Sequence, residues 1–203
     1  MSLHASMACI GLVLVGIFTT PVSAQDAPPN PRVLVETSEG DFEIELFKDR
    51  APVSVVNFLT YVQAGFYDGT VFHRVIRDAI VQGGGLVAKA DGRITPKLEG
   101  LRGQILNEAT NNLQNRRGTV AMARLAEPNS ARSQFFINLD DNGSFNHTNG
   151  TAQGFGYAVF GRVIEGMNVV LEIGSTRTTN QGDYRDVPSE PIVIRSIRQI
   201  ETN

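Results

Sequence analysis

Cysteine is nearly absent from this chain, with Cys9 alone among 203 residues, and tryptophan is missing altogether. A single thiol forms no intramolecular disulfide and assembles no cysteine-based metal site, so the fold must be held by its core. Three histidines, His4, His73 and His147, cannot build a histidine metal cluster. No G-x-S-x-G elbow and no Ser-His-Asp arrangement in recognisable context is present. The run Gly83-Gly84-Gly85 lacks the spacing and the following Lys-Ser/Thr of a phosphate loop. Formal net charge is only -3, so bulk attraction to nucleic acid or to an anionic membrane is not indicated. Covalent, metal and nucleotide chemistry are disfavoured together, and no cofactor or metal is expected. Binding remains, or catalysis by shape and electrostatics.

Ala8 to Phe18 form an apolar, uncharged run, and Pro21-Val22-Ser23-Ala24 ends in a small-x-small pattern. Residues 1–24 therefore read as a secretory signal peptide cut after Ala24. The run is too short for a membrane span and has no stop-transfer flank. Its n-region carries no Lys or Arg, only the amino terminus and His4, which leaves a short N-terminal anchor or a disordered tag as the alternative. Cys9 would leave with the signal. Residues 25–31, with three prolines, read as an extended leader, and residues 32–203 as one domain. About 180 residues remain, enough for a sizeable core.

Alternation of Phe42, Ile44 and Leu46 with Asp41, Glu43 and Glu45 predicts a half-buried strand, paired as a hairpin with Arg32–Glu36. Pro52 suits the first turn of a helix striped by Val55, Phe58, Leu59 and Val62 and stopped near Gly65. Strands are predicted at Val71–Ile76, Ile80–Gln82, Thr119–Ala123, Gln134–Asn138, Tyr157–Val163 and Ile192–Ile200, with a second helix at Met167–Ile173. Many short strands with two helices predict a mainly β fold, a closed antiparallel β-barrel capped by helices. Leu86–Gln104 and Asp140–Gly154 read as long surface loops. No large exposed apolar stripe is evident, so a monomer is expected.

Phe72-His73-Arg74-Val75-Ile76, with Val81-Gln82-Gly83-Gly84-Gly85 shortly after, is the most informative stretch. Strand alternation puts Phe72, Arg74 and Ile76 on one face, a cation among apolar groups. Such a charge is usually paired or functional. On the residues alone Phe136 also reads as core, Gln82 and Gln134 as satisfying barrel-end backbone groups, Arg124 as a solvated rim charge and His73 as a packed histidine.

The ordered blocks shift that balance, above all for Arg74. Asn57-Phe58, Phe66 to Ile76, Gln82 to Gly85, Asn107-Glu108-Ala109, Arg117 to Arg124, Ser133 to Asn138 and Phe155 to Gly161 together resemble the cyclophilins, peptidyl-prolyl cis-trans isomerases. The Asn-Glu-Ala block and Tyr157 are similar to the exported bacterial branch, which with the signal-like residues 1–24 implies a periplasmic or secreted protein. The resemblance implies eight strands and two capping helices, and proline-containing polypeptide segments as partners. It places Arg74 as the catalytic residue, Gln82 on a substrate carbonyl and Phe136 as the wall of a proline pocket. Ala123, Arg124 and Gln134 would line the backbone groove, with Phe72, His73 and Tyr157 beside the site. Two departures stand out. Arg77-Asp78-Ala79-Ile80 replaces the usual Pro-Gly-Phe-Met, so Ala79 stands for a pocket aromatic and Ile80 keeps bulk beside it. In the later loop Ser144 and Phe145 stand for an aromatic and a leucine, and either Phe145 supplies the missing wall or the loop is reshaped. The alternative to an enzyme is a non-catalytic binder of proline segments with the same fold.

Overall fold

The computed structural model describes residues 29–201 together with Met1. The signal-like run and the start of the leader lie outside the described residues. In chain order the strands are β1 (Arg32–Thr37), β2 (Gly40–Leu46), β3 (Val71–Phe72), β4 (Arg74–Ile76), β5 (Ile80–Gly83), β6 (Leu86–Ala88), β7 (Ile94–Pro96), β8 (Thr119–Met122), β9 (Phe135–Asn138), β10 (Val159–Glu165), β11 (Thr178–Gln181), β12 (Tyr184–Pro188) and β13 (Ile192–Ile200). Helix α1 spans Pro52–Gln63 and α2 spans Met167–Gly174.

Nine strands form one antiparallel sheet in the order β3-β13-β1-β2-β10-β8-β9-β5-β4. Its two end strands are consecutive in the chain and separated by His73 alone, so the sheet nearly closes into a barrel. Eight strands become nine because the expected strand Val71–Ile76 breaks at His73. Its first half pairs with β13 and its second with β5. Alternation works as expected elsewhere: Val33, Val35, Phe42, Ile44 and Leu46 all point inward and are buried. Phe58, Tyr61 and Tyr67 join Phe135 and Phe160 in a packed aromatic interior beneath α1.

Helix α1 has no side-chain cap from its own neighbourhood. Glu108 supplies one from a distant segment. Its Oε1 accepts from Val53 N–H at 2.9 Å, and its Oε2 accepts from Ser54 N–H at 2.8 Å and Ser54 Oγ–H at 2.7 Å. The carboxylate satisfies orphan donors and meets the positive end of the helix dipole. Glu108→Ala is expected to cost about 1–2 kcal/mol in urea unfolding, with Glu108→Gln losing less.

The segment Leu86–Gln104 departs from the loop expected of it. It carries the hairpin β6–β7, bridged to the barrel through Thr70 and Val87. The second unforeseen hairpin, β11–β12, packs against it: Val71, Leu86, Ile94 and Val187 form a small apolar cluster of their own.

Candidate active site

A single row of cross-strand neighbours organises the outer face of the barrel. Arg74 on β4 lies opposite Gln82 on β5, Gln82 opposite Phe136 on β9, and Phe136 opposite Ala121 on β8. Residues paired this way share a face. Val75, Val81, Phe135, Ile137, Val120 and Met122 alternate with them and fill the interior. Ile80, Ala121, Phe136 and Val159 therefore form a separate apolar cluster on the outside, with Ala123, Phe145 and Tyr157 packed at its edge.

Phe72 does not belong to this face. It is buried inside the barrel against Phe42 and Phe135. The break at His73 resets the alternation, so Phe72 and Val75 both point inward while Arg74 projects outward. The expected sharing of one face by Phe72 and Arg74 is corrected accordingly, and Phe72 supports the site from beneath.

His73 is also buried, and its Nδ1 has no hydrogen-bond partner among the described residues. Burial pushes its pKa down to about 4, opposed by the neighbouring Val71 backbone, assisted by the Arg74 charge and opposed again by Gln134. The ring is thus neutral at physiological pH. The unfolded chain binds this proton more readily than the folded one, so stability rises with pH between about 4 and 6.5 and is lost as pH falls through that window. Urea unfolding at pH 4.5 and 7 is expected to show this loss, and His73→Gln to diminish it.

Gln82 donates from Nε2 to Gln134 Oε1 at 2.9 Å. Among the described residues this bond leaves a second N–H on Gln82 for a polar chain laid over the row. Gly85 makes this possible, since a Cβ there would stand 2.4 Å from Gln134 Cγ. Beyond the pair the groove opens into a cavity of about 410 Å³ lined by Gln82, Lys97, Leu98, Ala123, Arg124 and Gln134 among others.

At the other end three rings meet edge to face. Phe136 lies 5.7 Å from Phe145 and 5.5 Å from Tyr157, and Phe145 lies 5.2 Å from Tyr157, between ring centroids. Phe145 packs against Phe136 and Tyr157, whereas Ser144 is exposed beside it in a 3-10 turn, Gly143–Phe145. Ala79 sits in the β4–β5 turn, half-buried, with its carbonyl accepting from Leu139 N–H and Asn142 Nδ2–H. Ile80 is buried against the Phe136 side of the sheet. Arg124 lies 4.9 Å from the Tyr157 ring centroid and donates to the carbonyls of Gly156, Ala126, Leu125 and Ala152. It fastens the loop that carries the aromatic rings, with four of its five N–H donors held by backbone carbonyls.

Sequence reasoning missed the buried amides behind that wall. Asn115 donates to the carbonyls of Phe145 and Tyr157, while Asn138 ties it to Thr119 and Asn142. Asn115 looks like the other loop asparagines, and Asn138 ends a strand where the residue pattern gives no sign of its partners. Also missed was Asp186 of β12, whose Oδ2 stands 3.7 Å from Arg74 Nε.

An outward cation, an amide pair and a cluster of aromatic rings lie along one row of a helix-capped antiparallel barrel, with an open cavity beside the amide pair. Residues 32–199 match the family model described as cyclophilin type peptidyl-prolyl cis-trans isomerase. Peptidyl-prolyl cis-trans isomerase A of Dickeya dadantii is 47% identical over 175 residues, covering 86% of this chain and 87% of that protein. Peptidyl-prolyl cis-trans isomerase B of Escherichia coli is 44% identical over 165 residues, covering 81% and 97%. A crystal structure of a Cryptosporidium parvum cyclophilin type isomerase matches with a TM-score of 0.68 at 26% identity, covering 86% of this chain and 99% of that one. The chain belongs to the cyclophilin-type peptidyl-prolyl cis-trans isomerases.

Proposed function

We propose that this protein accelerates cis-trans rotation of X-Pro bonds in exported polypeptides, with Arg74 as the catalytic residue and a remodelled proline pocket. The observation that carries the reading is the row Arg74, Gln82 and Phe136, which puts a cation, an amide and an apolar wall on one face.

Rotation about an X-Pro amide meets a barrier of about 20 kcal/mol, because conjugation is lost midway. In the twisted state the prolyl nitrogen regains a lone pair. A guanidinium N–H of Arg74 donates to that nitrogen and opposes its return to conjugation, favouring the twisted form over both planar ones. The ring of proline rests against Phe136, while Gln82 holds a substrate carbonyl and Gln134 and Ala123 flank the peptide backbone. The reaction needs no nucleophile and no energy source.

The pocket wall departs from the usual composition. Ala79 contributes little, and Phe145 packs edge-on to Phe136 with Ile80 beside it. Phe145→Ala is expected to lower kcat/KM about tenfold by removing one side of the proline site. Cyclosporin is expected to inhibit weakly, since the chain has no tryptophan to contact it. Near-stoichiometric cyclosporin inhibition, or an unchanged Phe145→Ala enzyme, would contradict the remodelled pocket. Peptide binding without any acceleration would turn the reading to a proline-segment binder.

The signal-like residues 1–24 support export, and similarity to bacterial isomerases supports the periplasm. The partners are unfolded or folding proline-containing chains rather than nucleic acid or membrane, met by a monomer. Fractionation of cells expressing the full chain tests this, with the cleaved form expected in the periplasmic fraction.

A further inference from the structure

Arg74 is long and half-exposed, and among the described residues its guanidinium makes no hydrogen bond of ordinary geometry to the barrel. Its partner is Asp186 Oδ2, 3.7 Å from Nε, with the two side chains 44% and 42% exposed. Such an exposed pair contributes little to stability. It is nevertheless presented by an unusually well-anchored element. Val187 is buried in the cluster with Val71, Leu86 and Ile94, and Tyr184 packs against the same cluster. Gln181 clips β11–β12 to the β6–β7 hairpin, accepting from Ile94 N–H at 3.3 Å and donating to Gly92 O at 3.3 Å. Asp186 itself has φ of 58°, the left-handed conformation. Strand alternation would set Tyr184 and Val187 on opposite faces; the left-handed residue between them lets both reach the apolar cluster while the carboxylate turns to Arg74.

A flexible arginine forfeits rotamer freedom whenever it must hold one geometry in a transition state. A carboxylate at Nε restricts the side chain while leaving both Nη groups free to donate. We propose that Asp186 is a positioning residue for Arg74, one that holds the guanidinium over the groove before substrate arrives. This rests on the isomerase reading and adds to it a residue that does not touch substrate.

The test compares wild type, Asp186→Asn, Asp186→Glu, Arg74→Ala and the Arg74→Ala/Asp186→Asn double variant on one X-Pro peptide, with kcat and KM separated by NMR exchange titration. Asparagine tolerates the left-handed conformation, so the fold is kept. Asp186→Asn is expected to lower kcat about five- to twentyfold with KM and Tm unchanged, as for an interaction expressed in the transition state. Asp186→Glu should recover part of the loss. In the Arg74→Ala background the Asn substitution should change nothing further. Wild-type kcat in Asp186→Asn, or an equal loss in the Arg74→Ala background, overturns the positioning role. If Arg74→Ala alone retains full activity, the isomerase reading at Arg74 fails instead, and the positioning role with it.

Discussion

Arg74→Ala is expected to lower kcat/KM for X-Pro isomerisation by about 10²–10³-fold, the usual consequence of removing one preorganised transition-state donor. The groove should survive, because Phe136, Gln82 and Gln134 are held by strand pairing and by each other rather than by the arginine. Peptide affinity is therefore expected to change far less than turnover, the signature of an interaction absent from the ground state. Arg74→Lys should rescue only a small part. An ammonium keeps the charge but not the planar fork, and it loses the Nε contact to Asp186. Line-shape analysis of peptide resonances separates the two quantities. Equal losses in affinity and rate would mean that Arg74 binds substrate without discriminating its twisted form.

Gly84→Ala is expected to be strongly destabilising. Gly84 has φ of +81°, and a Cβ built there stands 2.9 Å from both Phe135 Cε1 and Tyr67 Cε1. Both rings are buried, and Tyr67 is further fixed by donating from its hydroxyl to Ser133 O at 2.9 Å. Neither can swing aside without disturbing the stack with Phe58. Backbone strain and overpacking together should cost about 3–5 kcal/mol. For a domain of this size that lowers Tm by roughly 6–20 °C. Thermal unfolding followed by circular dichroism measures it, and a Tm within two degrees of wild type would show that the turn relaxes, on the scale of about 1 kcal/mol or less.

Residues whose environment is set by local alternation were legible in the sequence. The β1–β2 hairpin, the apolar stripe of α1 and the terminal strand β13 follow from spacing alone. The groove was legible through its ordered blocks, which name Arg74, Gln82 and Phe136 but not the geometry behind them. Phe72 was placed on the wrong face because parity along Val71–Ile76 is decided by two different partner strands. The β6–β7 and β11–β12 hairpins escaped notice since Thr178–Gln181 is polar and largely exposed, and Val187 of β12 packs on Leu86 and Ile94, which are far away in sequence. Glu108, Asn115 and Asp186 act across long separations on backbone or charge. Their residue types have ordinary surface explanations, and only the fold shows whom they meet.

Exchange spectroscopy of an Ala-Pro-containing peptide with a catalytic amount of the protein shows whether this groove speeds prolyl rotation. The uncatalysed peptide interconverts over tens of seconds. Strong cis-trans exchange peaks at sub-second mixing with wild type, lost with Arg74→Ala, are the predicted result. Peaks no stronger than those of the peptide alone, from a folded wild-type protein, would contradict the account.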